Sequence, residues 1–177
     1  MENSLKVFIN FDEKITRKQL ENYFYYSWKK KLPSLFRNLV FVILFLVIID
    51  SIFKADRSRI DFLNFLGYFS LVLCFIYVGI FYFNKLNYTS KINQHIAELK
   101  KFNPVLELIF HENSFYIKSE QYDIRSIWEK VTYSISDKTI LICIDMGTPF
   151  TFLLSEEETE QYEDVLNFLK IKSKFKK

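Results

Sequence analysis

Phe62–Phe83, FLNFLGYFSLVLCFIYVGIFYF, contains no charged residue. At 1.5 Å per residue, a helix of about 22 residues reaches roughly 33 Å, enough to cross a hydrocarbon core ~30 Å thick. Asn64, Gly67 and Ser70 are compatible with a span, because a helix satisfies its own backbone hydrogen bonds. A surface helix of a water-soluble protein would carry a polar stripe, and this stretch has none. It predicts a transmembrane helix.

A second apolar run lies upstream. Leu39–Ile49 (LVFVILFLVII) is too short to span alone, but Pro33–Phe53 reaches spanning length. Arg37, near one end, is placed to snorkel to the headgroups. Asp50, near the other, reads as interfacial; proton or ion handling is the alternative, for which the other span supplies no acidic partner. The link between the runs, Lys54–Asp61 (KADRSRID), is so short that it requires an antiparallel hairpin with both chain ends on one side. The link holds Lys54, Arg57 and Arg59. The other side holds Lys29, Lys30, Lys31 and Arg37 before the hairpin, Lys85 and Lys91 after it, and Lys100 and Lys101 farther on. Basic residues favour the cytoplasmic side, so both termini are expected in the cytoplasm. Tyr25, Tyr26, Trp28, Tyr82 and Tyr88 flank the spans as interfacial aromatics do.

The charge is unevenly distributed. Residues 1–101 hold 15 Lys/Arg against 8 Asp/Glu, and residues 102–177 hold 9 against 13. The basic half contains the apolar runs and suits an anionic lipid surface. The acidic half lacks the basic face that a nucleic-acid phosphate backbone requires, so nucleic acid is not expected as a partner. The abundance of Phe and Tyr has a second explanation in an A+T-rich genome, which does not account for the clumping of apolar residues. Cys74 and Cys143 suggest no disulfide framework. Residues 1–30 are too polar for a cleaved signal peptide.

The remainder alternates. Leu5–Phe11 places Leu5, Val7, Ile9 and Phe11 on one face of a strand expected to join the C-terminal sheet. Thr16 is the expected cap of a helix through Trp28 with Leu20, Tyr23 and Phe24 on its apolar side. Thr89–Phe102 reads as a helical extension with Ile92, Ile96 and Leu99 at helical spacing, ended by Pro104. Beyond it, Leu106, Leu108 and Phe110 share a face, as do Phe115 and Ile117 after a turn at His111–Ser114. Val131, Tyr133 and Ile135 are expected to face inward, with Thr132, Ser134 and Ser136 outward. Turns at Ser136–Lys138 and Met146–Pro149 flank Thr139–Asp145, and Phe150, Phe152 and Leu154 follow. Short turns between such runs mean an antiparallel meander. Ser155 and Glu158 fit a capping box, and Tyr162, Val165, Leu166 and Leu169 form the apolar face of the helix expected to follow. The predicted fold is an α+β membrane protein: a two-helix transmembrane hairpin with a small antiparallel sheet or barrel capped by a C-terminal helix. Its segments are a strand and helix over 1–32, the hairpin over 33–84 (spans about 33–53 and 62–83), a helical extension over 85–103 and a C-terminal domain over 104–177.

The hairpin ELIFHENSFYIKS (Glu107–Ser119), the segment SIWEKV (Ser126–Val131) and the strand–Pro149–strand–acidic helix ending resemble the YcxB-like family. The resemblance implies an N-terminal strand-helix segment, two membrane helices and a domain similar to a pleckstrin-homology barrel, in a bacterial cytoplasmic (inner) membrane. Trp128 takes the family's central aromatic position. Phe150 after Pro149 departs from the Pro-Lys pair common in the family's last strand. The family implies no biochemical activity and no functional residues.

Catalytic chemistry finds few candidates. His95 and His111 have no Cys or carboxylate partners at metal-ligand spacing, and three glycines offer no phosphate-cradling loop. No cofactor or metal is expected, and the chain reads as a non-enzyme. Glu156, Glu157, Glu158 and Glu160 read as a solvated helix start, with cation binding as the alternative. Trp128 reads as a packing residue, with ligand stacking as the alternative. Lys170, Lys172, Lys174, Lys176 and Lys177 form a tail that reads either as a solubilising end or as a contact for anionic lipid. The leading functional expectation is a membrane-anchored module that presents its sheet domain to an unidentified protein partner or to lipid headgroups. The alternatives are an immunity or self-protection protein against a membrane-acting toxin and an oligomeric transporter or channel subunit, for which Asn64, Ser70 and Asn84 give only a sparse polar face.

Overall fold

The computed structural model describes residues 4–53, 59–120 and 122–176. Most of the expected link, Lys54–Ser58, lies outside the described residues, as do Lys177 and the side chains of Asp50, Arg59 and Asp61. The chain forms two compact units, one comprising Met1–Tyr23 and Lys91–Lys177 and the other Phe24–Ser90.

Among the described residues, the first unit is built on eight strands. β1 (Leu5–Asn10) pairs antiparallel with β2 (Val105–Phe110), setting Leu5 opposite Phe110 and Asn10 opposite Val105. β3 (Ser114–Lys118) and β4 (Asp123–Ile127) complete a four-stranded sheet in the order β1-β2-β3-β4. A 3-10 turn over Trp128–Lys130 leads into β5 (Val131–Ser136), β6 (Thr139–Asp145) and β7 (Pro149–Ser155), an antiparallel meander. The β5–β6 turn holds Asp137 and Lys138 at φ of 47° and 58°, the left-handed pair that a two-residue hairpin with the native strand twist requires. α3 (Tyr162–Lys172) follows, and β8 (Lys174–Phe175) returns to pair in parallel with β5. Val7 and Ile9, Leu108 and Phe110, Phe115 and Ile117, and Ile140, Ile142 and Ile144 form one core with Tyr162, Val165, Leu166 and Leu169 of α3. The period-2 pattern of the strands and the helical spacing in α3 therefore converge on the same interior.

One inward assignment fails. Ile135 is 41% exposed, whereas Ser134 is buried. Leu141, which lies opposite Ser134, is also buried, on the face of β6 away from Ile140 and Ile142. Alternation identifies an inward face only when the other face is wet, and here both faces are covered around Leu141. β8 pairs with β5 only at Thr132 and Tyr133, so Ile135 lies beyond it.

The two long helices are α1 (Glu13–Phe53) and α2 (Arg59–Phe102). Each is a single element where the sequence suggested two. α1 runs through Pro33, since a proline removes one backbone donor and the flanking Lys-rich and Leu-rich residues are good helix formers. α2 ends where Asn103 turns left-handed at φ 41°, its N–H donating to the Leu99 carbonyl at 2.8 Å, with Pro104 next. Both helices are long and apolar enough to cross a membrane, and none of the apolar stretch of either is buried. In the second unit their faces meet through aromatic rings. Phe24 lies 5.1 Å from Tyr88 and 5.8 Å from Phe81, and Trp28 lies 5.3 Å from Phe81 and 5.9 Å from Tyr77. Trp28 and Tyr88 thus join the helices to each other, a role that the sequence reading as interfacial aromatics did not include.

The cap of α1 also differs from expectation. Asp12 precedes the helix, and its Oδ1 accepts the Ile15 N–H at 2.9 Å, the bond an N-cap makes to the third helical residue. Thr16 already lies within the first turn, its own N–H donating to the Asp12 carbonyl at 2.9 Å. Asp12→Ala should lower stability by about 0.5–2 kcal/mol. Thr16→Ala should stay within ~0.5 kcal/mol of the parent. Melting of the two variants in one detergent checks this, and the reverse order would restore Thr16 as the cap.

Candidate functional site

Three places in the first unit gather the residues singled out from the sequence. The first is the turn after β4. Trp128 is 8% exposed, and its Nε1–H donates to the His111 carbonyl at 2.9 Å. Its ring lies 5.6 Å from Phe168, 5.8 Å from Phe115 and 6.3 Å from Phe110. The indole thus ties the β2–β3 turn to α3, one end apolar and one end hydrogen-bonded, the usual arrangement of a buried tryptophan.

The second is the acidic stretch after β7. Ser155 and Glu158 form the expected capping box, with the Ser155 N–H donating to Glu158 Oε2 at 2.9 Å. The box closes a 3-10 turn over Glu156–Glu158, however, and α3 begins four residues later at Tyr162. The stretch is thus not the start of α3, although Glu156, Glu157 and Glu160 are exposed to solvent as expected. Glu156 pairs with Lys138 at 2.8 Å and Glu157 with Lys18 at 2.6 Å. Glu158 Oε2 also accepts from Gln19 Nε2 at 2.5 Å, and Asn22 Nδ2 donates to Asp137 at 3.1 Å. Lys18 beside Glu157 holds that carboxyl below its ordinary value. Burial pushes Glu158 up, opposed by the Ser155 and Gln19 donors. Glu157 and Glu158 therefore clasp the first turns of α1, and lysines of the same chain pair with Glu156 and Glu157. Nothing local in the sequence announces a contact between residues 139 positions apart. Among the described residues, no three His, Cys, Asp or Glu side chains come together as a metal site would require. His111 lies edge-on to Tyr116 at 5.4 Å, and His95 is on the exposed side of α2.

The third is the Lys-rich end. Its lysines follow an ordered path: Lys170 and Lys172 occupy the last turn of α3, and Lys174 belongs to β8 opposite Thr132. The Lys176 N–H donates to the Tyr133 carbonyl at 2.7 Å. Phe175 stands edge-on to the Tyr133 ring at 5.3 Å. In the second unit, Asn84 Nδ2 donates back to the Ile80 carbonyl of its own helix at 2.8 Å, so its amide is engaged locally.

The chain matches no family model, no curated protein and no solved structure.

Trp128→Ala should cost about 3–5 kcal/mol, the range for deleting a buried large aromatic. Trp128→Phe should cost less, about 1–3 kcal/mol, chiefly from the unpaired His111 carbonyl. Denaturant melting of the full chain measures both. An unchanged midpoint for Trp128→Ala would show that the indole does not hold the turn to α3.

Proposed function

We propose that this chain is a non-enzymatic integral membrane protein of the YcxB-like kind, in which a two-helix hairpin anchors a small sheet domain at the cytoplasmic face of a bacterial inner membrane for protein or lipid interaction. The observation that carries the reading is the apolar surface of α1 and α2. Phe36 is 69% exposed and Phe75 75%, and Phe41, Phe45, Val72 and Leu86 are exposed with them. Water-soluble monomers rarely leave contiguous apolar patches beyond a few hundred Å². A lipid surrounding covers such side chains, and a helix brings no unsatisfied backbone into it.

The strand pairing supports an even number of crossings. β1 and β2 are adjacent and antiparallel, so the segment between them must leave and return at neighbouring points of one sheet. The excess of Lys and Arg beside Trp28 and after Phe83 supports the cytoplasm as that side. The order of four strands, then three, then a helix that closes the core supports the pleckstrin-homology-like reading of the domain.

Topology is testable with single cysteines at Ser58, in the link, and Glu120, exposed beside β3, each in a Cys74→Ala/Cys143→Ala background. An impermeant maleimide added to intact cells should label position 58 and spare position 120 until the membrane is opened. Labelling of 120 alone would invert the orientation, and labelling of both would remove the hairpin.

A further inference from the structure

We propose that the C-terminal edge of the sheet domain is a second membrane contact, a clamp for an anionic bilayer. In it, Ile171 and Phe175 enter the headgroup region while Lys170, Lys172, Lys174 and Lys176 meet anionic lipid. It rests on the membrane-anchored reading above, which brings the domain to a lipid surface.

Order is the first reason. A solubilising tail needs no fixed conformation, yet this one is held by backbone. The Ser173 N–H and Oγ both bond the Leu169 carbonyl, at 2.9 and 2.8 Å, and turn the chain out of α3. β8 then pairs with β5, and the Lys176 N–H continues the pairing to Tyr133. The segment is thus arranged before any ligand arrives, which lowers the ordering cost of binding.

What that order displays is the second reason. Ile171 is 79% exposed and Phe175 56% exposed, with lysines on either side of each in sequence. None of the four lysines is engaged in an ion pair among the described residues. Apolar side chains interleaved with free ammonium groups match an interface that is apolar within and anionic at its rim. An acidic protein surface would leave Ile171 and Phe175 without that apolar interior.

Charge separation is the third. The opposite end of α3 is acidic, with Glu163 and Asp164 in its first turn. At 1.5 Å per residue, Asp164 and Lys170 are about 9 Å apart along the axis and Glu163 and Lys172 about 14 Å. The field of a surface charge fades over about 8 Å at physiological salt. The basic end can therefore approach an anionic surface while the acidic end stays beyond its reach.

The test uses the full chain in lipid nanodiscs made of phosphatidylcholine alone or with one third phosphatidylserine. An environment-sensitive fluorophore is attached at Ile171→Cys in the Cys74→Ala/Cys143→Ala background, with quenching by doxyl lipid as the readout. The same fluorophore on the native Cys74, in a Cys143→Ala chain, reports the hairpin. Cys74 should be quenched in both lipids. Position 171 should be quenched and blue-shifted only with phosphatidylserine, and high salt should reverse this. Each Lys→Gln change should lower the ratio of docked to undocked domain by roughly fivefold. Equal signals at 171 in the two lipids, or quenching that survives replacement of all four lysines, would overturn the clamp while leaving the hairpin standing. An unquenched Cys74 would overturn the hairpin and the clamp with it.

Discussion

The antiparallel pairing of Leu5–Asn10 with Val105–Phe110 is the constraint on which the architecture depends, because both long helices lie between its two partners. A flexible loop of about 94 residues would close this pairing at an entropic cost that grows with the logarithm of its length. The intervening chain is not flexible. α1 has 41 residues and α2 has 44, and helices of such similar length carry the chain out and back by nearly equal distances. Contacts at the base reinforce the return. Lys100 reaches Glu13 at 2.5 Å, and Arg17 reaches Asn93 at 2.7 Å. β1 alone has little reason to fold. Val7 and Ile9 become core residues only when β2 is beside them, so the sheet domain depends on the return of the hairpin, and the return is recorded in the sheet.

The same base carries a second set of contacts, from α1 to the end of the meander. The Lys18–Glu157 pair is exposed on both sides and is worth little, as surface pairs generally are. The Gln19–Glu158 bond differs. Gln19 is buried, and Glu158 already accepts from Ser155 to close the turn after β7. Removing either partner would leave a polar group without its bond in a partly desolvated place, where the loss is larger than the gain of making it. One carboxylate thus links the entry of α1 to the turn before α3.

Much of this was legible in the sequence for identifiable reasons. The two long apolar helices follow from runs without charge, and the strands at Leu5, Leu108, Phe115 and Ile142 follow from period-2 alternation with turn residues between. The apolar face of α3, Tyr162, Val165, Leu166 and Leu169, is legible residue by residue from its helical spacing. Failures occurred where a local signal had two readings or where the partner was remote. Asp12 and Thr16 are both competent caps, and only the geometry distinguishes them. Ser155 and Glu158 close a box whether a 3-10 turn or an α-helix follows. Ile135 alternates correctly and pairs with Ile140, yet is exposed on the stretch of β5 that β8 does not flank. The acidic run and the lysine run keep exposed charges, as read, but their tertiary neighbours, Lys18 and Gln19 in one case and the β5 backbone in the other, lie far away in the chain. None of these contacts carries a sequence signature.

The closing of the hairpin by its strands can be measured directly with a cross-link. Phe8 and Glu107 are register partners in β1 and β2, and cysteines there fall within disulfide reach if the pairing is present. The chain would carry this pair in the Cys74→Ala/Cys143→Ala background, with a protease site inserted between Lys54 and Ser58, and would be oxidised and cut in its native membrane. The account predicts that the two halves stay joined on a non-reducing gel, independent of protein concentration, and separate on reduction. Halves that part without reductant, or that join only between different chains, would contradict it.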